Sequence, residues 1–297
     1  MAHSNRVLLF VNKKKSQAAG LVEEIIRVLS ARAYTVDSFS GDAETRAGAP
    51  KDYAIAFSLG GDGTVLYAAR IAAPLAIPLI PVNLGTLGFI AAVLPTQWGE
   101  TFKRWEAGNA VVSRRIMLEV SVERGGETVF QSACLNDAVI SAAGIAKLIR
   151  LEVEAETSRG DHIVLGHFRA DGLIVSTPTG STGYSVAAGG PILDPEMEGV
   201  IINPICPFTL SNRPMVVPAD DRVCTLVERE QRSSVLLTVD GQITEPLQPE
   251  DRIIIRRAPY AVRLIASDRW AFYRALRTKL AWSGGSAQAS YQGGSDA

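Results

Sequence analysis

An apolar run, Tyr53-Ala-Ile-Ala-Phe57, leads straight into Ser58-Leu-Gly-Gly-Asp-Gly-Thr64 and then into Val65 to Ala73, a segment with helical spacing. No other stretch narrows the possible folds as far. A buried strand that ends in a glycine turn and re-enters a helix is the building unit of open α/β sheets. The turn carries free backbone N–H groups and the positive end of the helix, where a phosphate can sit. Glycine suits it because a ligand can then approach the backbone closely. Asp62 is the odd member. A loop built only to hold an anion gains nothing from a carboxylate, so Asp62 points to chemistry or metal coordination, the plainer alternative being a helix cap.

A second glycine-rich segment runs from Asp171 to Tyr184 and on through Ala187-Ala-Gly-Gly-Pro191. Thr177, Thr179, Ser181, Thr182 and Ser185 alternate there with Pro and Gly, more hydroxyls than a merely structural loop needs and a common feature of ligand-holding loops. Arg169 and Asp171 flank its start, and Tyr184 offers a face on which a base could stack. Together the two segments describe a site for phosphates and a hydroxyl-rich ligand. Leu135-Asn-Asp137 alone reads as a turn before a strand; in this company its amide and carboxylate can grip the two hydroxyls of a ribose. Asp240-Gly-Gln242 reads as a hairpin turn. Lys13-Lys-Lys15 is the only basic cluster and reads as a solvated loop, a phosphate-attracting role being the lesser alternative.

The first hundred residues alternate strand and helix: Val7 to Val11, an amphipathic helix over Leu21 to Leu29 with Ser16 as a candidate cap, then Tyr34 to Phe39, Tyr53 to Leu59 and Ile77 to Val82. The last of these ends at Asn83-Leu-Gly-Thr-Leu-Gly-Phe89, the kind of strand-end loop where open α/β sheets bind ligands. Neither G-x-G-x-x-G after the first strand nor a Walker loop occurs. From Ser113 the texture turns to short β runs, among them Met117 to Val122, Val235 to Val239 and Arg252 to Ile255. Trp270 to Leu280 regains helical spacing. The expected fold is a Rossmann-like α/β domain over 1–112 without the dinucleotide fingerprint, and an all-β domain over 113–266. A C-terminal helix over 267–282 returns to the first domain, and the Gly/Ser-rich tail over 283–297 is expected to be disordered.

The 297 residues are 47% hydrophobic and 21% charged, with a net charge of -1. That balance predicts a substantial core and disfavours nonspecific nucleic-acid binding. Cys134, Cys206 and Cys224 lack metal-ligand spacing and read as free thiols; His3, His162 and His167 form no metal box. Met1 to Arg6 shows no signal-peptide h-region, and no apolar run reaches membrane-spanning length. A cytoplasmic protein with neither nucleic-acid nor membrane partner is expected.

Read together, Gly60 to Thr64, Asn83 to Ile90, Leu135 to Asp137, Arg169 to Ser185, Ala188 to Leu193, Pro204-Ile-Cys-Pro207, Arg213-Pro214, Asp240 to Gln242 and Leu276-Arg-Thr-Lys-Leu280 resemble the NAD kinases, which phosphorylate NAD to NADP. Gly-Gly-Asp-Gly-Thr is shared with lipid kinases; the Thr-Pro-Thr-Gly-Ser-Thr segment is close to diagnostic. The resemblance implies NAD and ATP as substrates, Mg²⁺ with the ATP, and a homotetramer or homodimer. It implies that Asp62 is the catalytic base for the adenosine 2′-hydroxyl. NAD-binding roles are implied for Gly63, Asn136, Asp137, Lys147, Asp171, Thr182, Gly183, Tyr184, Ser185, Val186, Ala187 and Gln242, with Lys147 at a position that varies among relatives. Gly60, Gly61, Thr64 and Arg169 fall to the phosphate donor, a basic residue at 169 resembling the ATP-preferring members. Two departures stand out: Asn-Asp where relatives often have Asn-Glu, and a longer segment from Arg150 to His167. A diacylglycerol-type lipid kinase and a non-catalytic NAD(P)-binding regulator are the competing readings.

Overall fold

Four parallel strands in the order β2-β1-β3-β4 form one end of a ten-stranded sheet: β1 (Arg6–Val11), β2 (Thr35–Ser40), β3 (Tyr53–Gly60) and β4 (Leu79–Asn83). This computed structural model describes residues 4–40, 52–86, 88–144, 148–209 and 212–280, so Lys147 and the tail over 283–297 lie outside the described residues. The central strands are apolar almost without break because helices cover both faces of the sheet. On β1, Val7 and Leu9 face helices α1 (Ala18–Ser30) and α3 (Trp98–Glu106), while Leu8 and Phe10 face α2 (Asp62–Ala72). Ser16 does not cap α1; Gln17 occupies that place without a side-chain bond.

The β-rich half contributes β5 (Val112–Arg124), β6 (Glu127–Cys134), β8 (Ile149–Glu156), β9 (His162–Ala170), β13 (Arg222–Val227) and β16 (Arg252–Ile265) to the same sheet. The join is β16, which pairs antiparallel with β5 and β13 and, at Leu264, parallel with Leu79 of β4. In the sequence this strand seemed to stop at Ile255, because Arg256, Arg257 and Pro259 interrupt the apolar pattern. They fall where the register with β5 slips, between Arg257 and Ala261, and a bulge tolerates both the charges and the proline. A six-stranded sheet, β12-β11-β10-β7-β14-β15, packs on this half: β7 (Asp137–Ala142), β10 (Gly172–Ser176), β11 (Gly199–Ile205), β12 (Met215–Pro218), β14 (Val235–Val239) and β15 (Ile243–Leu247).

The two halves share apolar packing where Val65, Leu66 and Ala69 of α2 meet Ala133 and Leu135. The last helix, α5 (Arg269–Lys279), starts at a cap in which Asp268 accepts the Ala271 N–H at 2.8 Å. It returns to the first domain as expected, with Phe272 against Phe89 at 6.1 Å between ring centres. All three cysteines are free, Cys134 and Cys224 buried and Cys206 exposed. No described helix is long and apolar enough to cross a membrane.

Candidate active site

Gly60 and Gly61 carry the chain from β3 into α2. A side chain at Gly60 would overlap Thr64 and come within 3.2 Å of Asn12 at the end of β1, whereas Gly61 has open space around it. Asp62 is the first residue of α2 and is half-buried. Its carboxylate accepts three backbone N–H bonds, from Phe89 at 2.9 Å, Ile90 at 3.2 Å and Ala91 at 2.9 Å. A Cβ on Gly88 would collide with that carboxylate, which explains the glycine. Asn83, at the end of β4, holds the same loop from inside, donating to the carbonyls of Thr86 (2.8 Å) and Ala91 (3.2 Å) and accepting the Gly85 N–H (2.9 Å).

Across from α2 lies the turn Leu135-Asn136-Asp137. Asp240 sits at positive φ (51°) in the hairpin between β14 and β15 and accepts N–H bonds from all three of these residues, the closest from Asn136 at 2.7 Å. Arg70, on α2, forms an ion pair with Asp240 at 2.9 Å and also bonds Gln242, whose amide donates to the Gly63 carbonyl at 2.7 Å. A turn that the sequence presents as an ordinary hairpin thus clamps the Asn136-Asp137 turn to the helix of Asp62. A cavity of about 380 Å³ opens beside the clamp, lined by Asn136, Asp137, Val139, Ser141, Tyr184, Thr238, Asp240 and Gly241. Asn136 Oδ1 is buried without a partner. Burial, and then the charge of Asp240, push the Asp137 carboxyl up to about 7. Burial also raises Asp240, against the opposing pull of its backbone N–H donors and Arg70.

The hydroxyl-rich segment folds differently from the expectation that its hydroxyls face a ligand. Ser176, Thr177, Thr179, Ser181 and Ser185 are all buried. Thr177 Oγ1 donates to the Leu135 carbonyl at 2.5 Å, Ser181 Oγ to the Pro178 carbonyl at 2.6 Å, and Asn203 bonds the Ser185 carbonyl at 3.0 Å. The Thr177 bond and that of Ser176 Oγ to the Asn136 carbonyl (3.1 Å) seat the segment on the Asn136 turn, so closely that a Cβ on Gly180 would strike the Asn136 backbone. Gly183 and Tyr184 remain beside the cavity, Tyr184 exposed, with Thr182 and Val186 half-buried and Ala187 exposed.

The structure thus brings together Asp62, Gly63, Gln242, Asn136, Asp137, Gly183 and Tyr184. Asp171 lies at the far end of β7: Ala142 donates to its carbonyl at 3.1 Å, and neighbouring Gly172 pairs with Ser141. Five residues of strand separate that point from Asp137, roughly 17 Å. Arg169 does not meet the Gly60–Thr64 turn; it is exposed on edge strand β9, its guanidinium 4.9 Å from the Phe208 ring centre. The Lys15 ammonium stands against the loop that follows β4, 3.4 Å from where a Cβ on Gly85 would lie. Sequence reasoning passed over Arg70. The available signal was an arginine seven residues after Gly63, two helical turns along the same face, on a helix otherwise rich in buried apolar residues.

Two family models match the chain, the ATP-NAD kinase N-terminal domain over residues 40–110 and the ATP-NAD kinase C-terminal domain over residues 135–267. An NAD kinase of Treponema denticola is 42% identical over 284 residues, covering 95% of this chain and 98% of that protein. Among solved structures, yeast NADH kinase complexed with NADH superposes with a TM-score of 0.84 at 22% identity, covering 98% of this chain and 91% of the other. An NAD kinase from Archaeoglobus fulgidus in complex with ATP gives 0.68 at 24% identity, covering 91% and 96%. At those identities the two structures bear on the fold alone.

Proposed function

The chain belongs to the NAD kinase family, and we propose that its Asp62 takes the proton of the adenosine 2′-hydroxyl as the terminal phosphoryl group of ATP arrives. The enzyme phosphorylates NAD to NADP with ATP. The observation that carries the assignment of roles is the pair of acceptors beside the cavity, Asn136 Oδ1 without a partner and the carboxylate of Asp137, clamped to the helix that begins with Asp62. Two adjacent hydroxyls would satisfy that pair, and an unpartnered buried acceptor is costly until one does. Tyr184 supplies a face for the adenine, and Asp171 receives the far end of the dinucleotide along β7.

Donor phosphates bind at the Gly60–Thr64 turn, through the free N–H groups of the first turn of α2 and with the Lys15 ammonium as a further contact. Transfer passes through a loose transition state, so placing the hydroxyl in line with the phosphoryl group counts for more than basicity. A Mg²⁺ would arrive with the ATP, held mainly by its phosphates. That ion supplies charge neutralisation on the transferring group. Arg169 reaches a donor only from a neighbouring copy of the chain, which fits a homo-oligomer built on the exposed β9 edge. The lipid-kinase reading finds no support, since the family models and relatives that match this chain are NAD kinases.

The test is NADP formation from NAD, ATP and Mg²⁺, read with an NADP-specific dehydrogenase. Turnover is expected in the wild type and its collapse in Asp62→Asn. NAD binding without turnover would overturn the enzyme in favour of a sensor.

A further inference from the structure

Arg70 does not itself line the cavity, yet its bonds join a wall of the cavity, Asp240, to the glycine turn. Its guanidinium holds Asp240 on one side and Gln242 on the other, and Gln242 returns to the carbonyl of Gly63, next to Asp62. The Asp240 side chain is 0% exposed and that of Arg70 9%. A buried carboxylate that shapes three consecutive backbone N–H groups needs a counter-charge, and Arg70 provides the cation. Asp137 extends from the same three-residue turn, buried, with no side-chain partner of its own.

We propose that Arg70 is a positioning residue for NAD: through Asp240 and Gln242 it fixes the Asn136-Asp137 grip relative to Asp62. This rests on the reading of Asn136 and Asp137 as the hydroxyl grip. Five groups set the electrostatics around Asp137. Asp240 faces it from the hairpin and Arg70 lies behind Asp240 on α2. The Cys134 thiol, on β6, is held protonated by burial and by both carboxylates. Tyr184 and the Asn136 amide stand at the cavity. Arg70 pairs with Asp240, and the charge of Asp240 acts in turn on Asp137. Without Arg70, the charge of Asp240 acts on Asp137 undiminished and favours its protonated form; without the Asp240 charge, ionisation of Asp137 becomes easier.

The two halves of the ion pair therefore predict opposite outcomes, although removing either one breaks the same bond. The experiment measures kcat and KM for NAD and for ATP between about pH 5.5 and 9 in wild type, Arg70→Met, Arg70→Lys and Asp240→Asn. In Arg70→Met, KM for NAD is expected to rise on the order of 10- to 100-fold, with kcat at saturation changed less than about threefold. Its acid limb of kcat/KM for NAD moves to higher pH. In Asp240→Asn that limb moves to lower pH, and in Arg70→Lys it stays nearer the wild-type position than in Arg70→Met. A purely structural clamp would move both limbs the same way or neither, and either result overturns the proposal. Should Arg70→Met fail to fold, the acid-ward shift in Asp240→Asn decides alone. A wild type that makes no NADP would bring down the underlying reading as well, whereas turnover with unshifted limbs would bring down only this inference.

Discussion

The Asp62 carboxylate accepts the Phe89 N–H at 2.9 Å, so the side chain assigned to the substrate proton also tethers the glycine loop that follows β4. With three N–H donors on the carboxylate, the amide of Asp62→Asn keeps one oxygen acceptor and turns a donor group toward the loop. We expect a loss of about 1–3 kcal/mol of stability, measured by chemical denaturation. Activity should fall by about 10²- to 10⁴-fold or more at a temperature where the variant is still folded. An activity loss no larger than the unfolded fraction would reduce Asp62 to a tether.

Gly61 and Gly180 separate ligand contact from packing. A Cβ on Gly61 meets nothing within 4 Å, while one on Gly180 collides with the Asn136 backbone. Gly61→Ala should therefore cost less than about 1 kcal/mol of stability and raise KM for ATP, because the obstruction appears only when phosphate arrives. Gly180→Ala should lower the melting temperature and raise KM for NAD. An unchanged ATP KM in Gly61→Ala would remove this turn from the donor site.

How much of this could be read from the sequence follows from the range of the forces involved. The strand–glycine–helix unit at Tyr53 to Ala72 was legible because periodicity and turn chemistry are local. The continuity of the sheet through β16 was not, since Arg256, Arg257 and Pro259 mask a bulge whose register depends on β5. The hydroxyls of Thr177 to Ser185 suggest ligand contacts, yet Thr177, Ser181 and Thr182 donate to carbonyls of the chain itself, Thr177 to that of Leu135. Arg70 and Asp240 are 170 positions apart in the chain, and no local pattern predicts that a helix arginine and a hairpin aspartate will meet. Arg169 showed the converse, a residue whose motif is plain while its position on β9 keeps it from the turn it was assigned to.

Asp137 gives a pH dependence with a definite sign. Its carboxyl is pushed from 3.8 up to about 7, so the folded chain holds this proton more tightly than the unfolded one. The stability it contributes is fully present below about pH 4 and is lost as pH rises through about 7. Ligand-free Asp137→Asn should therefore be more stable than the wild type at pH 8, by roughly 2–4 kcal/mol, and this advantage should vanish near pH 4. NAD affinity should run the other way, falling below about pH 7 in the wild type as the acceptor protonates and being weak at every pH in the variant. Parallel urea titrations at pH 4 and pH 8 check the sign. Equal stability differences at both would mean that Asp137 titrates normally.

Strand β9 ends the order of the large sheet and exposes an apolar pair, Ile163 at 48% and Val164 at 59%, with Phe208 (66%) against Arg169 at its other end. Bare apolar edges invite pairing with another chain unless something covers them, and a second copy would cover this one. Val164→Lys sets a charge into that surface and should lower the molar mass measured by light scattering to that of a smaller assembly, at little cost to the fold of each chain. If Arg169 serves the donor of a neighbouring copy, KM for ATP should rise in the dissociated variant, and Arg169→Ala should raise it in the intact assembly. An unchanged mass in Val164→Lys would leave the β9 edge to solvent and remove Arg169 from the donor site altogether, leaving Lys15 and the turn at Gly60 to Thr64 as the donor contacts.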